Sequence, residues 1–149
     1  MTNLKIGDQA PDFTLMDQIG NPVNLLSSCK LQPVLLIIYP GDDTPGCTKQ
    51  LCAIRNDWSV FLQLGVAVYG INPGTSESHQ RFMAKYNLTA PLLVDTGGQV
   101  AKQYQAWKKL FKVELIERTV VLVDTHGIIR YLKRGLPPNS EIIAAIKSL

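Results

Sequence analysis

Cys47 and Cys52 lie in the run Tyr39-Pro-Gly-Asp-Asp-Thr-Pro-Gly-Cys-Thr-Lys-Gln-Leu-Cys52, five positions apart. Sulfur so placed is suited to nucleophilic and redox chemistry, because the run also reads as the start of a helix. Thr44 suits the N-cap, Pro45 the first helical position, and Cys47 then falls in the first turn. The Thr44 hydroxyl is placed to accept the Cys47 amide hydrogen. Unpaired backbone N–H groups and the positive end of the helix dipole meet in that turn, and both favour a thiolate over a thiol. Cysteines in such positions have depressed pKa values, and the thiolate is the nucleophile. A lone cysteine behind a helix-entry signal is more often a packing residue. The second cysteine turns the reading toward redox chemistry.

Apolar positions continue from Cys47 through Leu51, Ile54, Trp58 and Phe61 at steps of four, three, four and three, which is one face of an amphipathic helix. Cys47 therefore points inward. Cys52 begins a row with Arg55, Asn56, Ser59 and Gln63 on the solvent side. In an intact helix, Cα atoms five residues apart are separated by about 8.7 Å and turned by about 140°. A disulfide tolerates only about 7 Å. The two thiols can join only when the first turns unwind. Cys47 would become a sulfenic acid in the folded pocket, and Cys52 would capture it after local unfolding.

The run resembles the peroxiredoxins and, within them, the peroxiredoxin Q group, also called bacterioferritin comigratory proteins. Pro40, Thr44 and Cys47 match that family's proline, threonine and peroxidatic cysteine, and Cys52 matches the group's resolving cysteine. The runs Gly7-Asp-Gln-Ala-Pro-Asp-Phe-Thr-Leu15, Gly70-Ile-Asn-Pro, Pro91-Leu-Leu-Val-Asp95 and Glu117-Arg-Thr-Val-Val-Leu-Val-Asp124 extend the similarity over nearly the whole chain. Arg118 matches the arginine that the family sets beside the peroxidatic sulfur. Gly41 and Ala90 depart from the pattern by being small, and Ile54 stands for a common phenylalanine.

The resemblance implies a thiol-dependent peroxidase reducing hydrogen peroxide and organic hydroperoxides. It would work through a Cys47 sulfenic acid and an intramolecular Cys47–Cys52 disulfide, recycled by a thioredoxin- or glutaredoxin-like reductant without metal, haem or flavin. Such a reaction needs donors aimed where negative charge grows on the departing oxygen. Arg118 and the Thr44 hydroxyl fit that need, and Pro40, lacking an N–H and fixed in φ, would shape the pocket wall. For Arg118 the competing assignment is a surface salt bridge with Glu117 or Asp124.

At 149 residues the chain is expected to form one domain, large enough to bury about two-thirds of its unfolded surface. Three cysteines do not make a disulfide framework, and the odd count fits a reducing cytosol. No signal pattern opens the chain, and the apolar stretch 33–40 is too short to span a bilayer. A cytoplasmic protein without membrane attachment is expected. The net charge of +3 is mild and the basic residues scattered, so neither a nucleic acid nor another polyanion is implied as partner. The absence of a long arm after Leu149 and a resolving cysteine close at hand imply a monomer.

The elements must bring Cys47 and Arg118 together. Residues 13–15 and 23–25 read as an opening hairpin, and the apolar run 34–39 as a strand buried on both faces. A helix from Pro45 ends near Gly65. A strand over 66–71, a helix over 77–86, a strand over 92–94 and a short helix around 99–105 follow. Residues 120–123 and 128–132 flank the turn Asp124-Thr-His-Gly127 as an antiparallel hairpin. Asn139 caps a last helix burying Ile142, Ile143, Ile146 and Leu149. This order predicts an α/β chain with a mixed central sheet flanked by helices, similar to the thioredoxin fold with an added N-terminal β-hairpin. Sites in such sheets gather beyond the carboxyl ends of strands, where residues 40–47 fall.

Other candidates carry less. Cys29 has no cysteine neighbour and reads as a packed thiol. His79 lines up with Phe82, Met83 and Tyr86 as an edge packing residue, and His126 lies in a tight turn. Zinc is disfavoured because a five-residue step within a helix is not the close spacing of structural sites. Asp42-Asp43 and the glycines 41 and 46 read as a polar loop rather than a magnesium or phosphate site, since no Walker pattern is present. Trp107-Lys-Lys-Leu-Phe-Lys112 reads as a loop or short helix flanking the pocket. Two rival functions remain. A protein disulfide oxidoreductase would ordinarily carry C-x-x-C, absent here. A redox-sensing binding module would use Cys47–Cys52 formation to remodel a docking surface.

Overall fold

The computed structural model describes residues 3–149. Its centre is β3 (Val34–Ile38), five apolar residues without a polar side chain, buried throughout as a strand covered on both faces must be. β3 runs parallel to β4 (Ala67–Asn72) and antiparallel to β8 (Thr119–Val123). With β1 (Thr14–Met16), β2 (Pro22–Asn24), β5 (Leu92–Val94) and β9 (Ile129–Arg134), they form a seven-stranded mixed sheet in the order β2-β1-β5-β4-β3-β8-β9.

Side chains alternate across the sheet and divide the core in two. Leu35, Ile37, Val120 and Leu122 face a layer formed by α2 (Pro45–Asn56), α3 (Trp58–Gln63), α4 (Ser76–Tyr86) and α6 (Asn139–Lys147). Val34, Leu36, Ile38, Val121 and Val123 face α1 (Leu25–Cys29) and α5 (Gln99–Gln103) on the other side. The result is the expected thioredoxin-like arrangement with a hairpin added at the N-terminal end. That hairpin joins the main sheet through Met16, which pairs with Val94. Among the described residues, no helix is long and apolar enough to cross a membrane.

Three segments differ from the sequence reading. The helix expected over 45–65 breaks at Asp57, whose φ of −107° and ψ of 20° are not helical. α6 meets the chain at this break. Asn139 does not cap its own helix, where Pro138 takes the N-cap position; its amide instead donates to the Ala53 carbonyl and to Asp57 Oδ2, both at 2.8 Å. The Asp57 amide still reaches the Ala53 carbonyl at 3.3 Å, so Asn139 fastens the break from outside the helix. Leu149 is 43% exposed and does not join the buried face of Ile142 and Ile146. Residues 107–116 form neither loop nor helix but a separate hairpin of β6 (Trp107–Leu110) and β7 (Val113–Ile116).

Candidate active site

The chain leaves β3 at its carboxyl end and is held at once. The Tyr39 amide donates to the Ile71 carbonyl at 3.1 Å, its carbonyl accepts from Asn72 Nδ2 at 2.9 Å, and its hydroxyl donates to Asp42 Oδ1 at 2.6 Å. The turn that follows enters α2 at Thr44, whose φ of −89° and ψ of 152° are those of an N-cap. Its side chain does not accept the Cys47 amide hydrogen as the sequence had implied. The Thr44 hydroxyl instead donates to the Gly41 carbonyl at 3.1 Å. The first-turn N–H groups are thus not capped by that side chain, and the positive end of the helix stays open toward an anion.

Cys47 lies in this first turn with no exposed surface, in the cluster that holds Tyr39, Leu51 and Ile54. Cys52 is half-buried at the margin of the same cluster, and both thiols are free. Continuous helix from Pro45 to Asn56 keeps them apart.

Arg118 lies one residue before β8, whose antiparallel pairing with β3 carries it to the carboxyl end of that strand. Its Nη1 donates to Gln50 Oε1 at 2.9 Å, and a Cβ placed on Gly46 would lie only 2.9 Å from Nη2. The guanidinium therefore rests against the turn that carries Cys47, and a side chain at 46 would displace it from its present place. Among the described residues neither Glu117 nor Asp124 pairs with it; Asp124 takes Arg130 at 3.3 Å. A permanent cation and an open helix N-terminus thus meet at the turn that carries one buried sulfur. Pro40 and Thr44 are exposed on the turn above it. Gln50, 6% exposed, had not been singled out in the sequence, and Gly46 only as part of a polar loop; the signal was their place at three and one residues from Cys47 on the helix.

Behind the turn lies a polar cluster that residue patterns did not disclose. Asp42 accepts from the Tyr39 hydroxyl, from Ser78 Oγ at 2.7 Å and from His79 Nδ1 at 2.6 Å. His79 is fully buried, so it is not an edge packing residue; its Nε2 meets the Leu93 carbonyl at 3.1 Å. Burial by itself would raise the Asp42 carboxyl, but hydrogen bonds from His79, Tyr39 and Ser78 prevail and hold it below the usual carboxylate range. Tyr39 is pushed the other way, by burial first and then by Asp42 and the neighbouring Cys47, so it stays a neutral donor. The tight fit extends to Gly74, where a Cβ would lie 3.0 Å from Asp42 Oδ2 and 3.2 Å from His79 Cε1. His126 is exposed in its turn. Among the described residues, no three His, Cys, Asp or Glu side chains come together to hold a metal ion.

A thioredoxin-like sheet that presents an electropositive, helix-starting cysteine at its carboxyl edge defines a protein that works by thiol chemistry. Residues 6–132 match the AhpC/TSA family. The chain is 40% identical over 144 residues to the chloroplastic peroxiredoxin Q of Sedum lineare, covering 96% of this chain and 76% of that one. It is 41% identical over 131 residues to a putative peroxiredoxin bcp of Coxiella burnetii, covering 85% and 86% of the two chains. The crystal structure of peroxidoxin BcpB from Mycobacterium tuberculosis superposes with a TM-score of 0.90 at 28% identity over 99% of each chain. The chain belongs to the AhpC/TSA family and is a peroxiredoxin of the Q or bcp kind, a thiol-dependent peroxidase.

Proposed function

We propose that Cys47 is the peroxidatic thiol and Cys52 the resolving one, in a peroxidase that reduces hydrogen peroxide and small organic hydroperoxides. The observation that carries this reading is the Arg118 guanidinium against Gly46, the residue before Cys47. The thiolate attacks one peroxide oxygen, the O–O bond breaks, and the other oxygen leaves as hydroxide or alkoxide, taking up a proton. Arg118 stabilises the negative charge on the departing oxygen. Thr44, whose proton is engaged by the Gly41 carbonyl, offers its lone pairs to the hydroperoxide O–H and so orients it. Pro40 forms the rim. Cys47 has no exposed surface, so substrate enters when the turn bearing Pro40, Gly41 and Thr44 moves aside.

The sulfenic acid at Cys47 then condenses with the Cys52 thiol, releasing water and forming the disulfide once the first turns of α2 unwind. A thioredoxin- or glutaredoxin-like dithiol restores both thiols by exchange. Because both sulfurs come from one helix, the cycle needs no second chain, which supports a monomer. The odd count of three cysteines, which makes no disulfide framework, supports a cytoplasmic setting. Peptide mapping of the peroxide-treated protein tests the assignment. A Cys47–Cys52 linkage two hydrogens lighter than the reduced peptides is expected, and Cys47→Ser consuming peroxide at the original rate would refute it.

A further inference from the structure

Two carboxylates on the turn before α2 take no part in the chemistry above, yet both are fastened to α4. Asp42 binds Ser78 and His79, and the two ring nitrogens of His79 reach the Asp42 carboxylate and the Leu93 carbonyl. The side chains of His79 and Asp42 are 0% and 7% exposed. Removing one partner of such a pair leaves a buried charge uncompensated, so the turn does not readily leave α4. Asp43 has a left-handed φ of 57° and accepts from Lys85 Nζ at 2.8 Å and from the Tyr86 hydroxyl at 2.7 Å. A strained backbone of this kind persists where neighbours hold it.

The other end of the same stretch is fastened as well. Arg55 Nη1 donates to the Tyr86 carbonyl at 2.6 Å, and Asn139 holds the Ala53 carbonyl. Tyr86 thus grips both ends, Asp43 by its hydroxyl and Arg55 by its carbonyl. Between these posts lie residues 44–52, with both thiols.

We propose that Asp42 and Asp43 act as positioning residues that anchor this turn to α4 and set how readily residues 44–52 unwind. They thereby govern the fate of the Cys47 sulfenic acid. It either condenses with the Cys52 thiol, forming an S–S bond and releasing water, or a second hydroperoxide oxidises it to the sulfinic acid, its O–O bond breaking and its remainder leaving as water or alcohol. The proposal rests on the reading of Cys52 as the resolving thiol. With both posts fixed, the unwound segment gains little freedom. Releasing the N-terminal post enlarges that freedom and favours unwinding, hence capture by Cys52.

Asp42→Asn tests this with little change of shape, and Tyr86→Phe removes one hydroxyl from the protein's surface without threatening the fold. In single-turnover stopped-flow, the peroxide-independent phase is expected to rise about fivefold in Asp42→Asn and about twofold in Tyr86→Phe. The peroxide concentration that half-converts Cys47 to sulfinic acid should rise by the same factors. Amide exchange in reduced Tyr86→Phe should quicken across residues 44–52 and stay unchanged in β3 and β8, whereas general destabilisation would quicken exchange in the sheet also. Resolution rate, sulfinic midpoint and exchange all equal to those of the parent would overturn the proposal. Should mapping place Cys29 rather than Cys52 in the disulfide, the resolving assignment falls, and the exchange comparison alone decides whether the anchor exists.

Discussion

Cys47 and Cys29 are equally buried, at 0% and 1% exposure, on opposite faces of one sheet, yet they sit at opposite ends of their helices and near side chains of opposite charge. Cys29 ends α1, where carbonyls rather than N–H groups are unpaired, and Asp124 and Asp12 lie nearby. Burial first, then those two charges, pushes its thiol up to about 11. It is a neutral packing group at working pH. Cys47 opens α2 under free N–H groups and beside Arg118. Burial alone therefore does not make a thiol inert or reactive; which end of a helix holds it, and which charge it meets, decides.

The bluntest way to break this contrast is to delete each sulfur. Cys47→Ser should lower kcat/KM for hydrogen peroxide by at least about a thousandfold, as loss of a nucleophile does, whereas Cys29→Ser should leave it within about twofold. Equal losses would mean that the two thiols are not distinguished as argued. Next comes the charge. Arg118→Met should cost about a hundredfold in kcat/KM, the scale set by removing a donor aimed at developing negative charge. Arg118→Lys should recover only part of this, because an ammonium cannot reproduce the planar fork that spans Gln50 and Gly46. A fully active Arg118→Met enzyme would reduce the guanidinium to a packing role.

The polar cluster under the Cys47 turn predicts a pH dependence that the Cys29 layer does not share. Asp42 is held below the value near 3.9 expected of an unfolded aspartate. Its contribution to stability is therefore complete above about pH 4 and is lost as pH falls through the lower folded value. Asp42→Asn lacks that ionisation. At pH 7 it should be less stable than the parent by about 2 kcal/mol, and the gap should close as urea midpoints are followed from pH 5 to pH 3. A gap independent of pH would show that the carboxylate charge contributes nothing.

The strands and the first turn of α2 were legible because each rests on local patterns. The apolar run 34–39 leaves no alternative to a buried strand, and Thr-Pro-Gly marks a helix entry whatever surrounds it. Arg118 was found only through resemblance, since its place beside Gly46 depends on antiparallel pairing of β8 with β3, 68 positions in sequence from Gln50. The same limit hid the Asp42–His79 pair, whose partners are 37 positions apart. A helical wheel put His79 with Phe82 and Tyr86, and nothing local shows that a carboxylate waits inside. The partner of the break at Asp57 was equally remote, since Asn139 of α6 fastens it. Contacts made within a few residues can be read from the chain; those made by the sheet's topology need the fold.

The finest test separates burial from charge at Cys29. Asp124 raises this thiol only after burial does, so removing the carboxylate should lower the pKa without bringing it near neutrality. Asp124→Asn suits the purpose, because its Oδ1 can still accept from the amides of His126 and Ile128, as the aspartate does at 2.8 and 3.0 Å, and what is lost is the charge and with it the pair to the half-exposed Arg130. Alkylation of the native protein, read by peptide mass, should then gain less than about tenfold at Cys29, the expected reach of one nearby charge of like sign to the thiolate. A Cys29 that labels in this variant as fast as Cys47 would mean that local charge, not removal from water, had kept it neutral. In that case the two faces of the sheet would differ only in the sign of the nearest side chain, and the helix ends would have no part in the distinction.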